Sequence, residues 1–524
     1  MKGLKRFKDN YDVIVVGGGF GGLTAALRLA QKGVDVLLVE QHNMTGGFAT
    51  SFVRGRFEFE ATLHALCEFG TGQIEAKEKG IQTAHGRARR LLIEECGVDL
   101  DLKQTPEMYR CILSNYDINM TMPYGRTKIV EAIEKLSPGD GEKMSRYLDL
   151  CEEIADALED IENSSSIKPL KILKDHASFV RLAGYSVAEV NAQFNFSERT
   201  IQVLHCMVGY LGHSMRIISF PVWAVMLHRY LIEGAHIPEK TSHSMANKVE
   251  MQLRKLGAQV ECCTKVERFL TESDRVTGIE LADGTRIGAR QVICNALATI
   301  AITKMLPESF IPERMKKLYN VRKLALSPFT MYLGLNAPAK EMGIDSYEYF
   351  IGDHLHTEQI AETIRHWVKH PKLVVTCSDV AIPGCTGKNR CQLNFAETYH
   401  PDAFLEAMDK YKYLESNEEL ANYLIDRFEL ATGASIREHI EEISISTPAT
   451  YVRYANALRG NIYGYEQTAL DGVISRTLSM EKERFLKGLD FVGGGTFRTV
   501  GYSSVISSGI RVAEDTFKEL QGVS

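Results

Sequence analysis

A chain of 524 residues is longer than one hydrophobic core organises, and two domains are expected. Its 44% hydrophobic and 24% charged content excludes a disordered polypeptide, and a net charge of −6 excludes the basic footprint of a nucleic-acid binder. Eleven cysteines with no CxxC and no Cys/His ligand spacing exclude a disulfide framework and a metal site, and they read as reduced thiols of a cytoplasmic protein.

The basic start, Met1 to Arg6, leads directly into a strand without the apolar core of a secretory signal. Asp12 to Val16 is a short β-branched run, the pattern of a parallel strand covered on both faces. Gly17-Gly18-Gly19-Phe20-Gly21-Gly22 follows. Gly17 suits the tight turn, Gly19 lets a pyrophosphate reach the backbone, and Gly22 lets the next helix pack against the sheet. That helix is expected from about Gly21 to Lys32, with Leu23, Ala26, Leu27 and Ala30 on its buried face and Gly33 as its stop. A second strand, Val36 to Val39, ends at Glu40, the position of an acid that takes ribose hydroxyls and disfavours a 2′-phosphate. Strand, turn, helix, strand and acid together specify an adenine-dinucleotide site, with NAD and FAD both open. Gly46-Gly47 lies just beyond.

Ile201 to Leu231 is rich in large apolar side chains, among them Tyr210, Trp223 and Met226, and suits either the lining of a long apolar channel or an ordinary helical core. The longest apolar stretch, Ile217 to Met226, is too short to span a bilayer. Ile167 to Leu182 is basic and amphipathic, which fits a solvated helix face or a seat on an anionic membrane surface. Ser244 to Leu256 has helical periodicity. Strands are expected at Ala258–Cys262, at the pair 276–281 and 285–287 joined through Asp283-Gly284, and at Gln291–Ala296. Near the end, Leu489 to Val492 runs into Gly493-Gly494-Gly495 and a further helix. Arg498 stands where a third glycine would complete a second fingerprint, so this turn closes on the first dinucleotide.

These pieces resemble the FAD-dependent oxidoreductases of the phytoene desaturase, carotenoid isomerase and retinol saturase family, within the amine-oxidase-like flavoproteins. The resemblance rests on Gly17 to Leu23 with Val39-Glu40-Gln41-His42 and Thr45-Gly46-Gly47; on Phe57 to His64; on Thr447 to Tyr454 with Gly460 to Gly464; and on Phe491 to Thr496 with Ser503-Ser504-Val505. It implies an α/β fold: a Rossmann-like FAD-binding domain of the amine-oxidase type (GR2), in three segments (1–75, 235–305 and 475–524), interleaved with an α+β substrate domain (76–234 and 306–474). The implied FAD contacts are Gly17, Gly19, Phe20, Gly21, Gly22, Glu40, Gln41, Gly46, Gly47, Phe48, Val266, Gly494, Gly495, Ser503, Ser504 and Val505. Val266 is expected to meet the adenine, and the amides of Ser504 and Val505 to face the electron-rich edge of the flavin.

His64 is the proposed proton-handling residue, since its motif brings it toward the flavin and imidazole titrates near neutrality. Glu60 flanks it and Tyr502 covers the ring. Arg453, Tyr463, Trp223 and Met226 are expected to line the substrate channel. The implied chemistry is saturation, desaturation or isomerisation of a long apolar polyene, with a lean toward C=C reduction. The electron partner would be NAD(P)H, a quinone or a redox protein, and the membrane contact peripheral, on the cytoplasmic face. A flavin amine oxidase is the first alternative, but Phe48 stands where amine oxidases carry arginine. A non-enzymatic prenyl- or lipid-binding protein is the second, and the intact glycines and Glu40 argue against it. Glu239 to Ser242 also departs from the glycine-rich approach of many relatives.

Overall fold

The computed structural model describes residues 6–74, 85–163, 174–211, 214–367, 372–407, 413–466, 468, 471, 484–494 and 501–522. Among them the β-branched runs gather into two large sheets. In the first, of seven strands, Asn10–Val16 is central and parallel to Val36–Val39 on one side and Arg286–Cys294 on the other. Gln259–Glu261 extends the sheet beyond Val36–Val39, Leu489–Phe491 pairs in parallel with Arg286–Cys294, and the antiparallel strands Val266–Glu272 and Arg275–Leu281 form the other edge. Arg286–Cys294 is one continuous strand where two were expected, because residues 286–288 pair with Arg275–Leu281 and 288–294 pair with Asn10–Val16.

Helices Phe20–Gln31, Ser242–Lys255 and Tyr502–Leu520 share one apolar core against this sheet. The last helix crosses the first at backbone contact distance: a methyl group on Gly509 would lie 2.1 Å from Thr24 Oγ1 and 2.5 Å from Gly21 O. Glu514 of the last helix also accepts from Arg28 (2.6 Å) and Lys32 (2.9 Å) of the first. Residues 87–98, expected in the substrate domain, belong to this packing instead, since Ala88, Leu92, Cys96 and Val98 are buried in the same core.

The second sheet runs Ile440–Ser446, Ser327–Leu335, Cys391–Tyr399, Lys372–Thr376, Glu348–Gly352, Tyr109–Leu113, Ile118–Met122. Its strands alternate in direction except where Glu348–Gly352 meets Tyr109–Leu113 in parallel. One face is closed by helix Tyr413–Thr432 through Leu420, Leu424 and Phe428. The other looks toward a helical layer that includes Gly141–Asn163, Glu198–His205 and Phe220–Leu227.

The hairpin Ser51–Arg54/Phe57–Glu60 links the two halves. Its Phe57 and Phe59 rings cluster with Tyr332, and Phe57 sits against Gly334. This hairpin launches the loop 61–68 that carries His64. Of the basic stretch at 167–182, residues 167–173 lie outside the described residues, and the helix Ala177–Leu182 turns Phe179 inward. Among the described residues no helix is long and apolar enough to cross a membrane.

At Gly22 a methyl group would lie 2.1 Å from a backbone atom, Gly17 O. Neither the strand end nor the helix start can retreat without moving the sheet. Gly22→Ala is expected to lower unfolding stability by about 2–3 kcal/mol, in the upper range for overpacking. A urea midpoint of the variant at or above that of the wild type would show that the turn yields to the added methyl group.

Candidate functional site

The first strand ends in a cradle made of backbone. Gly17 N–H donates to Val39 O (2.8 Å), and Gly46 N–H donates to Gly18 O (2.8 Å), so the two glycine segments lie edge to edge. A methyl on Gly47 would come within 3.1 Å of Gly19 Cα. Helix Phe20–Gln31 starts from Gly19 with no side chain capping it, which leaves its opening amides facing this cradle. Glu40 closes the turn: its carboxylate accepts from Gly18 N–H (2.7 Å) and His42 N–H (2.8 Å). Backbone amides for phosphate beside an acid for ribose fit the adenosine diphosphate end of a flavin or nucleotide cofactor.

Sequence reasoning missed Asn295. Its side chain lies where a methyl on Gly19 or Gly21 would sit, 2.7 and 2.6 Å away, and also against Gly493, while its N–H donates to Val16 O (2.8 Å). An asparagine ending a buried strand was the available signal. Of the other expected contacts, Gln41 is exposed, Phe48 is half-buried with its ring 6.3 Å from Tyr451, and Val266 is buried in one core with Val39. Gly494 lies beside Val505, and Gly495 is outside the described residues.

The C-terminal helix starts earlier than expected. Its N-cap is Gly501, and Val505 N–H already donates to Gly501 O (3.1 Å), which corrects the role given to that amide; the opening turn begins at Tyr502. Ser503 does not cap the helix. Its Oγ donates to Cys67 O (2.5 Å) and ties the helix to the loop 61–68.

Between that helix start, the loop 61–68, the second sheet and the helical layer lies a cavity of about 200 Å³. His64 reaches it with its side chain 25% exposed, and Nδ1 lies 3.0 Å from Oε1 of Glu348, which is fully buried. The other Glu348 oxygen accepts from Tyr210 O–H, and Tyr347 O–H donates to His64 O. Tyr230 stacks on Tyr210 at 5.1 Å and donates to Ala65 O (3.2 Å). Burial holds the Tyr210, Tyr230 and Tyr347 hydroxyls well above the usual phenol range and pushes Tyr463 up to about 12, so all four remain neutral near pH 7. Glu348 was not singled out from sequence, and Tyr210 only as one apolar side chain of the stretch 201–231. A lone acid in the aromatic strand Tyr347-Glu348-Tyr349-Phe350 was the signal for the first.

Tyr463 and Met226 line the cavity, and so does Tyr502, with its hydroxyl 3.1 Å from Thr62 Oγ1. Two expected lining residues do not. Helix Pro448–Ala455 turns Tyr451 into the cavity, and Arg453 is exposed on the outside, stacked on Tyr454. Trp223 is fully buried in the helical core, where Nε1–H donates to Tyr147 O–H (2.9 Å). Glu60 borders the cavity, but Ser242 Oγ (2.6 Å), Ser242 N (2.7 Å), Leu63 N (3.2 Å) and Thr62 N (3.4 Å) all donate to its carboxylate. Burial raises the Glu60 carboxyl above the usual range against the pull of these donors.

The NAD(P)-binding Rossmann-like domain family matches residues 15–76. All-trans-retinol 13,14-reductase of Danio rerio is 23% identical over 88% of this chain and 78% of its own length. The 4,4'-diaponeurosporene oxygenase of Staphylococcus aureus strain MW2 is 23% identical over 96% of this chain and 97% of its own. Prolycopene isomerase of Daucus carota is 21% identical over 98% and 81%. Among solved structures, an oxidoreductase from Methanosarcina mazei superposes with a TM-score of 0.63 at 15% identity, covering 96% of this chain and 99% of its own. Cyclohexylamine oxidase from Brevibacterium oxydans superposes with 0.61 at 14% identity, covering 98% and 100%. These superpositions bear on the fold.

Glu60 joins the His64 loop to the start of helix Ser242–Lys255. Glu60→Gln sets an NH₂ against N–H donors, and unfolding stability is expected to fall by about 1–3 kcal/mol, the cost of a buried unsatisfied donor. Unchanged thermal and urea midpoints would show that Glu60 does not hold this loop.

Proposed function

We propose that this chain, a member of the phytoene desaturase-, carotenoid isomerase- and retinol saturase-like oxidoreductases of the amine-oxidase-like superfamily, is an FAD-dependent enzyme acting on the carbon–carbon double bonds of a long apolar polyene. The observation that carries this reading is the juxtaposition of a backbone dinucleotide cradle, the start of the last helix and a largely apolar cavity with one histidine–carboxylate pair. The whole-length likeness to proteins named for retinol, diaponeurosporene and prolycopene supports the substrate class.

Gly17 to Gly22 and Gly46-Gly47 would hold the diphosphate, Glu40 the ribose, and the opening turn of Tyr502–Leu520 the electron-rich edge of the ring system. Bound FAD supplies two-electron exchange with a carbon–carbon bond. The protein's own part is placement and proton traffic. Val225, Met226, Phe350 and Val374 exclude water along the cavity. Opposite a carboxylate oxygen, Nδ1 of His64 carries a proton, which fixes the ring's orientation and leaves Nε2 to exchange a proton with substrate carbon. Tyr210, donating to the same carboxylate, keeps it in place.

Nε2 of His64 can give a proton in one direction and take it in the other, so the lean toward reduction of C=C rests on the likeness to the retinol 13,14-reductase. The two electrons would then come from outside, from NAD(P)H or a redox protein, since the sequence carries a single dinucleotide fingerprint.

Purified protein is expected to be yellow, with a flavin absorbance band and one FAD per chain on release. Glu40→Gln should weaken FAD retention about tenfold or more, the range of a charge-assisted hydrogen bond, as read from flavin occupancy after dialysis. A colourless protein that cannot be reconstituted would overturn the reading. Chemically reduced holoprotein mixed with a polyene should return oxidised flavin and product heavier by two hydrogens. Product lighter by two hydrogens, formed by oxidised enzyme, would reverse the direction. His64→Gln should slow the reductive step by about 10²–10⁴-fold while leaving polyene binding intact. Wild-type rates in that variant would remove His64 from the chemistry.

A further inference from the structure

The floor of the cavity is a ruled surface. On the second sheet Glu348, Thr376 and Asn394 form one row, Phe350, Val374 and Ala396 the next, and Lys372 and Thr398 a third. Side chains two residues apart along a strand share a face, so all three rows look into the cavity. Four residues of strand separate the Glu348 row, where His64 is bonded, from the Lys372 row, which is about 13 Å.

Lys372 is the cation of this third row. It is half-buried, and it also lines a smaller pocket that continues past Phe350 and Val374 toward Leu355 and Ile364. Its Nζ donates to Thr398 Oγ1 (3.3 Å), and among the described residues no carboxylate lies within ion-pair distance of it. The nearest acid in charge terms, Glu397, projects from the opposite face of the sheet, where burial pushes its carboxyl up to about 8 against the pull of Lys372 and Arg427. Thr398, having accepted from Lys372, still has its own O–H to donate. An ammonium and a hydroxyl, side by side at one end of a largely apolar cavity, form a two-donor clamp for an anion.

We propose that the substrate is amphipathic: a long apolar chain ending in a carboxylate, which Lys372 and Thr398 hold while the reacting carbons lie toward His64. One ammonium matches one negative charge, whereas a phosphate or diphosphate would leave charge uncompensated in a desolvated site. The proposal rests on the function argued above, adding the headgroup and its distance from the reacting end.

The test uses FAD-loaded protein and two probes, the conjugated tetraene cis-parinaric acid and its methyl ester, with binding read from polyene fluorescence. The acid should bind wild type at least tenfold tighter than the ester. Lys372→Met should abolish that preference without changing the ester's affinity, and Lys372→Arg should keep most of it. Equal binding of acid and ester by wild type would overturn the clamp, and so would a Lys372→Met variant that weakens both alike. If the ester is bound and converted as well as the acid, the headgroup assignment fails and the polyene function stands. If neither probe binds a flavin-loaded protein, the apolar-substrate reading falls as well.

Discussion

The close approach of backbone to backbone around Asn295 is the constraint on which the rest of the molecule depends. Three segments distant in sequence meet there: the turn after the first strand, the end of Arg286–Cys294, and the turn at Gly493. The two glycine turns arrive as bare main chain and close directly on the Asn295 side chain, the close backbone approach that a diphosphate site needs. The same economy sets the helix packing. With Gly509 against Thr24 and Gly21, the last helix lies across the first, and its opening turn is carried to the edge of the cavity. The cofactor end and the substrate end are therefore positioned by one set of contacts. A disturbance of the first βα turn would be transmitted to Tyr502 and Ser503, and through the Ser503–Cys67 bond to the His64 loop.

The substrate half is built on a different principle. Its sheet is apolar, Glu397 apart, on the face covered by helix Tyr413–Thr432 and mixed on the face that lines the cavity, where Glu348, Lys372, Thr376, Asn394 and Thr398 alternate with Phe350, Val374 and Ala396. A face that merely closed a core would carry none of those polar groups. Among the described residues Asn394 Oδ1 is buried with no hydrogen-bond partner, a condition that native interiors avoid unless something else supplies the partner. The polar residues on this face are therefore better accounted for by a ligand than by the fold.

Much of the cofactor half was legible because its signals are contiguous. Strand, glycine turn, helix, strand and acid all fall within residues 10–40, and the periodicity of each element is intact. The substrate half was legible only in part, because its cavity takes one or two side chains from each of many separated segments. Phase decides which. On helix Phe220–Leu227, Met226 faces the cavity and Trp223, three residues earlier, faces Tyr147 in the core, although both are large and apolar. On helix Pro448–Ala455, Tyr451 faces in and Arg453 out. The sequence carries the periodicity but not the rotation of the helix about its axis, which tertiary packing sets. His64 could be named from its motif. Its partner Glu348 lies 284 residues away, a separation that no local pattern bridges.

The Glu348 arrangement also bears on whether His64 is there for stability. A carboxylate buried to zero exposure is penalised by several kcal/mol of lost hydration, and a well-packed apolar pair of the same volume is commonly as stable or more so. Nothing in the packing requires an acid here: Phe350 and Val374, on the same sheet face, are apolar and buried. What the acid uniquely does is accept from a histidine on one oxygen and a tyrosine on the other, holding the imidazole at a fixed angle where the cavity meets the loop 61–68. Orientation of a proton-carrying ring matters little to folding and a great deal to proton transfer, whose rate depends on alignment with the accepting atom. The buried carboxylate is accordingly explained by chemistry at the ring it holds.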